Sequence, residues 1–317
     1  MLGRMRLLVV GACALAAATL SGTSSSTAPP ALLTYSISYR SLGHPTGPLN
    51  GRICVAYPHG THAIRVLSQG WYREPAWSPG GRYLAYSRQT TDRERKRLRN
   101  RPVYEVFLAT ARGRIIRNLS KGTSVFNMQP AWSPDGRRLA FTSAYHGSII
   151  SVVSRRGGSP YTVAVRASAP TWTPDGTRIV FAGDDGIASV RPDGPPDRKL
   201  IVPGATVPAL SPDGTKLAYI RRTLEDSDVY VANADGTGER RLTKTPEIEW
   251  GPKWSPDGSL IAFTRWKFDP FDDRQWISVV RSDSGQEEAV IRGPHSAFDP
   301  SWRQPDNLPR AKRLPCF

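Results

Sequence analysis

The sequence predicts an all-β fold assembled from a repeated unit, and three observations indicate it. Glycine and proline contribute 28 residues each to a chain of 317, too many turn formers for a helical bundle. Hydrophobic residues make up 39% of the chain and include nine tryptophans, enough to build a core and to exclude disorder throughout. A short motif centred on tryptophan recurs about every 40 residues, a period typical of strand-based repeats.

The charge balance is basic but gives only weak support to a nucleic-acid partner. Lysine and arginine number 43 against 27 acidic residues, for a net charge of +16, and 35 of the 43 are arginine. Such an arginine skew also arises from codon bias, so we expect no nucleic-acid partner. Three cysteines are too few for a disulfide-dense scaffold or a cysteine-rich zinc site.

The N-terminal residues 1–28 have the layout of a signal peptide followed by a low-complexity spacer. Basic residues precede an apolar run from Leu7 to Leu20, and small residues with a Ser/Thr/Pro stretch follow. This run is shorter than the roughly 20 residues that span a bilayer core. We therefore predict export to the periplasm, the cell wall or the medium, with no membrane span after cleavage. A lipid anchor at Cys13 is the alternative.

Five segments of the chain align around the motif Pro-x-Trp-Ser-Pro-Asp-Gly, and a sixth begins in the same way and is then cut off. The segments are 75–88, 130–143, 170–183, 208–221, 252–265 and 300–307. Their large apolar position is held by Trp77, Trp132, Trp172, Leu210, Trp254 and Trp302, spaced 55, 40, 38, 44 and 48 residues apart. A period near 40 with strand-like units indicates the blades of a β-propeller.

Each repeat can be built as four antiparallel strands. Ser-Pro-Asp-Gly suits a type I turn between the first two strands, because proline fixes φ and glycine accepts a positive φ. The second strand, such as 139–142, alternates inward and outward side chains. A third strand, as in 229–238, and a fourth, as in 240–243, complete the blade.

The truncated last repeat and the incomplete first repeat complement each other. The segment 32–68 matches the second, third and fourth strands of a blade that has no first strand of its own. The orphan motif at 300–302 supplies that strand. We therefore predict a six-bladed β-propeller of four-stranded blades, with the ring closed by a C-terminal inner strand joining the N-terminal blade. The propeller then covers 31–307, and 308–317 form a C-terminal tail.

These repeats resemble the WD40-like propeller repeat of the TolB family, whose signature is Pro-x-Trp-Ser-Pro-Asp-Gly followed by a strand reading Leu/Ile-Ala-Phe/Tyr-Thr/Ser. The resemblance covers about residues 31–307, and its departures are local: Gly80, Leu210 and Arg303-Gln304 replace motif residues. It implies an envelope protein with protein partners. Members of that family carry an α/β domain ahead of the propeller, where this chain has the signal and spacer. Similar propellers precede the hydrolase domain of prolyl-oligopeptidase-like peptidases.

Closure of the ring predicts a disulfide between Cys54 and Cys316. Cys54 lies on the third strand of the blade that Trp302 completes, and Cys316 follows that tryptophan by 14 residues. Strands lie about 4.8 Å apart and an extended tail gains about 3.3 Å per residue, so the tail can reach two strands outward. The alternative is two unpaired thiols, one in a strand and one on the tail.

The loops that enter the first strands of the blades meet at one mouth of a propeller, where such folds present ligands. The residues just before the motif prolines are large, aromatic or charged on one side of this mouth and small on the other. We therefore predict a non-catalytic binding site for a protein or peptide, in a monomeric protein. Its ligand-binding residues are Tyr72, Arg73, Glu74, Phe126, Met128, Trp250, Phe298 and Asp299. The alternative is that these side chains only pack between blades.

Catalytic and metal-binding candidates are few, so we predict no catalytic residue, no metal site and no cofactor. The sequence holds no nucleophile-elbow or zinc-protease motif. The enzyme alternative is a propeller hydrolase or lyase in which His295 acts as acid or base with Glu74 and Asp299. His59 and His62 lie in a turn without a third ligand in sequence, and the acidic clusters lack the spacing of a calcium loop.

One run of charge, residues 91–101, is inserted between the second and third strands of the second blade. It holds six basic residues against two acidic ones. A solvated loop is one interpretation. The other is contact with an anionic surface, such as lipid head groups or cell-wall polyanions, through Arg93, Arg95, Lys96 and Arg97.

Overall fold

The computed structural model describes ten stretches of the chain, which together carry the repeats. They are residues 31–39, 50–58, 63–90, 103–121, 126–144, 147–195, 197–222, 226–267, 274–292 and 296–303. Every regular element within these stretches is a β-strand, which confirms the all-β prediction. In the same stretches, no segment forms a helix with the length and apolar character needed to cross a bilayer.

Twenty-four strands are present in the described stretches. The first twelve are β1 (Leu32–Tyr39), β2 (Asn50–Ala56), β3 (Ile64–Gly70), β4 (Tyr72–Trp77), β5 (Tyr83–Gln89), β6 (Tyr104–Thr110), β7 (Ile115–Asn118), β8 (Phe126–Trp132), β9 (Arg138–Ala144), β10 (Ser148–Ser154), β11 (Tyr161–Val165) and β12 (Ala167–Trp172). The other twelve are β13 (Ile179–Gly183), β14 (Gly186–Val190), β15 (Lys199–Pro203), β16 (Thr206–Leu210), β17 (Lys216–Arg222), β18 (Ser227–Asn233), β19 (Arg240–Arg241), β20 (Ile248–Trp254), β21 (Leu260–Trp266), β22 (Gln275–Arg281), β23 (Glu287–Ile291) and β24 (Ser296–Arg303).

The strands pair almost entirely antiparallel. β24, the last strand, pairs with β1, the first, in a four-stranded sheet of order β24-β1-β2-β3, and β12 to β15 form another sheet of four. β4 to β11 form a sheet of eight, made of two antiparallel sets of four that one parallel contact between Tyr104 and Phe126 joins. β16 to β23 repeat this arrangement through Ser227 and Ile248. In each set, the strand carrying the Pro-x-Trp motif lies at one edge; these six motif strands are β4, β8, β12, β16, β20 and β24.

The turn after a motif strand is held by its own hydroxyl and carboxylate groups. After β8, Gly136 at φ +64° donates its backbone N–H to the Ser133 carbonyl at 2.9 Å. The Asp135 carboxylate accepts the Ser133 hydroxyl at 2.6 Å and the Arg137 amide at 3.0 Å. The same bonds recur in the turns of Asp175, Asp213 and Asp257. The Ser-Pro-Asp-Gly sequence therefore forms the tight turn that its residues predict.

The hydrophobic core lies between neighbouring sets of strands. Tyr35 of β1 packs in one buried cluster with Ile277 of β22, and Tyr86 of β5 packs in another with Leu67 of β3. A third cluster joins Ala85 of β5 to strands β8 and β9. Because both faces of the second and third strands are covered, their side chains are buried on both sides and the alternation of exposure is lost there.

The motif tryptophans also join neighbouring sets by hydrogen bonds. The Trp132 indole N–H donates to the Ala76 carbonyl at 2.9 Å, and the Trp172 indole donates to the Ala131 carbonyl at 3.2 Å. The other such bonds run from Trp254 to the Ala209 carbonyl at 2.9 Å, from Trp302 to the Lys253 carbonyl at 2.9 Å and from Trp77 to the Thr34 hydroxyl at 2.6 Å. Each bond ties a motif strand to the preceding set. The Leu210 side chain has no N–H group, so β16 lacks this bond.

We expect Trp132→Phe to lower the free energy of unfolding by about 1–2 kcal/mol, since it removes the bond to Ala76 and part of a buried ring. Urea unfolding measures this change. Trp276→Phe is the matched control, because the Trp276 indole N–H is buried without a partner and no hydrogen bond is lost there. An equal loss of stability in both variants would show that the indole bond contributes nothing.

Candidate functional site

Each motif strand bends at the residue before its proline. These six pre-proline residues are Glu74, Gln129, Ala169, Val207, Gly251 and Asp299, with φ between +51° and +66°. Strand pairing shifts register there, as between Arg73 and Ala76 on β4, which is the behaviour of a β-bulge. Only glycine adopts this φ without strain, and a residue before proline is normally extended. The surrounding structure therefore holds a strained backbone at five of the six strands.

The pre-proline residues of all six motif strands line one cavity of about 290 Å³, which we call the inner-strand cavity. Trp250 and Lys253 of β20 contribute further side chains to its wall. Since every motif strand reaches this cavity, it lies where the six strands meet. The bulges thus bring together residues that are far apart in sequence.

On one half of the wall, side chains accept hydrogen bonds from backbone amides of the next motif strand. Asp299 Oδ2 accepts the Glu74 amide at 3.1 Å, Glu74 Oε2 accepts the Gln129 amide at 2.7 Å, and Gln129 Oε1 accepts the Ala169 amide at 2.9 Å. Each acceptor belongs to a pre-proline residue. The relay therefore satisfies three of the strained bulges and fixes the orientation of their side chains.

Hydroxyl groups on the second strands support this relay. Ser87 on β5 donates to Glu74 Oε2 at 3.0 Å, and Thr142 on β9 donates to Gln129 Oε1 at 2.8 Å. At β20 the pre-proline residue is Gly251, which has no side chain, and the Thr264 hydroxyl itself accepts the Asp299 amide at 3.0 Å. A hydroxyl at this second-strand position thus compensates for a missing pre-proline acceptor.

The other half of the wall has no such acceptors. Its pre-proline residues are Ala169, Val207 and Gly251, whose side chains cannot accept a hydrogen bond. The second-strand positions equivalent to Thr264 hold Ala182 and Ile220 there. The amides of Val207 and Gly251 therefore face positions without a side-chain acceptor, although both residues line the cavity.

The charged groups of the site form two unequal sets. Arg73 Nε donates to Asp299 Oδ2 at 3.2 Å, and its guanidinium lies 5.3 Å from the Phe298 ring centroid. This pairing with Asp299 raises the pKa of Arg73. Burial, and then the charge of Asp299, raise the pKa of Glu74 to about 7 although Arg73 opposes the shift. Glu74 is therefore partly protonated at neutral pH.

Lys253 is the second charged feature of the cavity. Its side chain lines the inner-strand cavity and is solvent-exposed. Desolvation by nearby protein atoms lowers the pKa of Lys253, and the negative charges of Glu74 and Asp299 oppose the shift. The cavity thus presents an ammonium group on one side and two carboxyl groups on another.

Three of the eight predicted ligand-binding residues, Glu74, Trp250 and Asp299, line the inner-strand cavity. Arg73 is linked to them through its ion pair with Asp299. The structure therefore brings four of the predicted residues into one site.

The other four predicted residues do not contribute to the cavity wall. Tyr72 is buried, with its hydroxyl on the Ser68 carbonyl at 3.0 Å, and Phe298 is buried beneath Arg73. Met128 is half-buried on β8. Phe126 stays 39% exposed and stacks on Tyr104 with ring centroids 6.2 Å apart. Tyr72 and Phe298 are thus packed inside the fold, which is the alternative that the sequence left open for these positions.

Sequence reasoning missed Lys253 and the second-strand hydroxyls. A signal for Lys253 exists in the repeats, because the residue between the motif proline and the tryptophan position is otherwise small. These residues are Ala76, Ala131, Thr171, Ala209, Lys253 and Ser301. The hydroxyls of Ser87, Thr142 and Thr264 occupy one recurrent position of the second strand, but only the bulge geometry gives that position its role.

Several predicted features lie outside the described residues. They are the signal and spacer 1–28, the basic residues Arg93, Arg95, Lys96 and Arg97, the candidate His295 together with the other four histidines, Cys316 and the tail 308–317. Cys54 is described: it is buried on β2 and disulfide-bonded, with a partner cysteine outside the described ranges. In the part of the chain that is described, no three His, Cys, Asp or Glu side chains are grouped to hold a metal ion.

Comparison with known proteins agrees with this architecture. No protein-family model matches the chain. A curated relative named Protein TolB homolog, from Chlorobium luteolum, is 32% identical over 145 residues, covering 43% of this chain and 33% of that protein. A Tol-Pal system protein TolB from Anaeromyxobacter dehalogenans is 35% identical over 127 residues, covering 40% of this chain and 21% of that protein. The match thus spans a third or less of these relatives' own length.

The structure superposes on TolB from Acinetobacter baumannii with a TM-score of 0.69 at 19% identity, over 87% of this chain and 68% of that chain. The chain has a β-propeller fold similar to that of TolB. The resemblance that the repeated motif predicts is thereby confirmed. In this TolB-like propeller, the six motif strands and their bulges form the wall of the inner-strand cavity.

The raised pKa of Glu74 predicts a pH effect that Glu74→Gln removes. In the wild type, the folded state holds this proton up to about pH 7 and the unfolded state only to about pH 4.5, so stability falls as pH rises between the two. Glutamine keeps an acceptor for the Gln129 amide and does not ionise. Urea unfolding from about pH 5 to about pH 8 should therefore show the variant gaining free energy of unfolding relative to the wild type. Parallel curves would mean that Glu74 ionises as an exposed glutamate does.

Proposed function

We propose that the protein is an exported six-bladed propeller whose ring is closed by β24. Contacts on both sides of the sheet formed by β24, β1, β2 and β3 support closure of the ring. β24 pairs antiparallel with β1. Trp302 on β24 donates to the Lys253 carbonyl of β20 at 2.9 Å, and Trp77 on β4 donates to Thr34 of β1 at 2.6 Å. The set that contains β1 and β24 therefore contacts the sets before and after it. Six sets of four strands then complete the ring.

We further propose that this propeller is a non-catalytic module that binds a protein or peptide in the inner-strand cavity. The observation that carries the proposal is the convergence of all six repeats on this cavity, with Trp250, Lys253, Glu74 and Asp299 in its wall. An aromatic surface beside a few charged groups suits a polypeptide ligand.

The size and chemistry of the cavity favour a short inserted segment. A volume of about 290 Å³ lies at the lower end of the range for ligand pockets, so the cavity accepts a few residues or a small molecule rather than a domain. Hydrogen bonds to backbone amides and the ion pair of Asp299 with Arg73 hold the Glu74 and Asp299 side chains in the cavity wall. A partner in the cell envelope is consistent with the relative named as a Tol-Pal system protein.

The disulfide supports an oxidising compartment outside the cytoplasm. We propose Cys316 as the partner of Cys54. The protein is expressed from its full sequence and purified from the exported fraction. Its digestion without reductant should then release one peptide that links Cys54 to Cys316, detected by mass spectrometry. A peptide linking Cys54 to Cys13 would contradict both this pairing and the predicted removal of the signal.

Filling the inner-strand cavity should abolish partner binding if the ligand inserts there. Ala131 and Thr171 occupy the repeat position that Lys253 occupies on β20, so a long side chain is compatible with the fold at that position. We expect the double variant Ala131→Met/Thr171→Met to lose envelope partners that the wild-type mature chain retains in a pull-down. Quantitative mass spectrometry of the retained proteins measures the loss.

The matched control is Val165→Met, which adds the same side chain at a position that is 69% exposed on the outer strand β11. It should retain the wild-type partners. Identical partner sets for the wild type, the control and the cavity-filling variant would exclude the inner-strand cavity as the binding site.

A further inference from the structure

Lys253, which lines the inner-strand cavity, has no ion-pair partner among the described residues. No carboxylate of those residues lies within 4.0 Å of its ammonium group, whereas the neighbouring Arg73 is paired with Asp299 at 3.2 Å. A charge in a cavity wall without a counter-ion is less favourable than a paired one, because nearby protein atoms replace part of its hydration. A ligand of opposite charge that pairs with this ammonium group would therefore gain binding free energy.

The backbone beside Lys253 adds two further donors. The amides of Val207 and Gly251 belong to the bulges of β16 and β20, and the equivalent amides of Glu74, Gln129, Ala169 and Asp299 are all taken by side-chain oxygens. At Val207 and Gly251 the corresponding side chains are apolar, and no described side chain accepts these amides. Both residues line the same cavity as Lys253.

The chemistry of this half of the wall is therefore that of an oxygen-anion receptor. In the half of the wall that carries Glu74, Gln129 and Asp299, a carboxylate or carboxamide of the protein itself supplies the oxygen that accepts each bulge amide. The repeated backbone shows directly which group fits beside such an amide. A ligand carboxylate would accept the amides of Val207 and Gly251 in the same way. It would also pair with the Lys253 ammonium, which lines the same cavity.

We propose that Lys253 and the amides of Val207 and Gly251 bind a carboxylate of the polypeptide ligand. This inference rests on the proposed function and specifies its ligand as an acidic segment. The Trp250 indole, on the same motif strand, offers the aromatic contact for the chain that carries the carboxylate.

The acidic half of the cavity does not oppose such a ligand. Arg73 balances Asp299 at 3.2 Å, and the raised pKa of Glu74, about 7, leaves this carboxyl partly protonated at neutral pH. The unbalanced charge of the cavity is then the Lys253 ammonium. A neutral or basic segment would leave that ammonium without a counter-ion.

Nuclear magnetic resonance of the full mature chain tests the inference directly. Reductive methylation with carbon-13 labels its lysines, of which the chain has only eight, and Lys253→Arg identifies the signal of Lys253. The probes are the N-acetylated tripeptide amides Ala-Ala-Asp and Ala-Ala-Asn, and sodium acetate. The Lys253 signal should move on titration with the aspartate peptide and not with the asparagine peptide. A shift with acetate as well would show that a free carboxylate suffices for binding. A shift with the peptide alone would show that the polypeptide chain also contacts the protein.

Affinity of the aspartate peptide for variants provides the second readout. We expect Lys253→Met to bind it roughly tenfold more weakly than the wild type, the loss typical of a hydrogen bond to a charged group. Lys253→Arg should restore most of the affinity, because it keeps the charge. Lys199→Met, at an exposed position on β15, is the matched control and should bind as the wild type does.

Two results would overturn the inference: equal binding of the aspartate and asparagine peptides by the wild type, or an unchanged preference for aspartate in Lys253→Met. Failure of the proposed function looks different. If the cavity-filling variant keeps all envelope partners, the function is wrong whatever the peptides do. If that variant loses its partners but carboxylates have no effect at Lys253, only the carboxylate receptor is wrong.

Discussion

The backbone bend before each motif proline is the constraint on which the rest of the structure depends. It places five non-glycine residues at a positive φ, where an isolated chain would rarely stay. Neighbouring sets of strands hold it in place, because the tryptophan two residues after the proline position is bonded to the preceding motif strand in most repeats. The bend in turn directs the pre-proline residues into one cavity. The position of the cavity wall thus depends on contacts between neighbouring sets of strands.

A repeated backbone with varied side chains explains why the site is asymmetric. All six bulges present an amide, but only Asp299, Glu74 and Gln129 supply the oxygen that the next amide needs. Where the repeat holds glycine, the Thr264 hydroxyl replaces that oxygen, and where it holds Ala169 or Val207 no replacement is present. Substitution at one repeat position therefore changes the chemistry of the wall without changing the fold.

The few charges that line the cavity interact more strongly with one another than the many charges on the outer surface do. Exposed arginines are screened by solvent and salt, and surface pairs such as Arg166 with Asp184 contribute little. In the cavity, the same interactions occur in a medium of lower effective dielectric constant, which is why the pKa values of Glu74 and Lys253 both depart from normal.

The sequence by itself determined the strands, the Ser-Pro-Asp-Gly turns, the period of the repeat and the TolB-like character of the fold. These features are local: turn residues set φ within four positions, and the motif recurs in the chain whatever its neighbours are. It also singled out Glu74, Trp250 and Asp299, which line the inner-strand cavity, from their place just before a motif proline. Only the tertiary structure decided that Tyr72 and Phe298 are packed away while Lys253 enters the cavity. The reason is that a bulge reverses the direction of side chains along a strand, and the positive φ behind it is maintained by contacts between strands far apart in sequence, which no local pattern records.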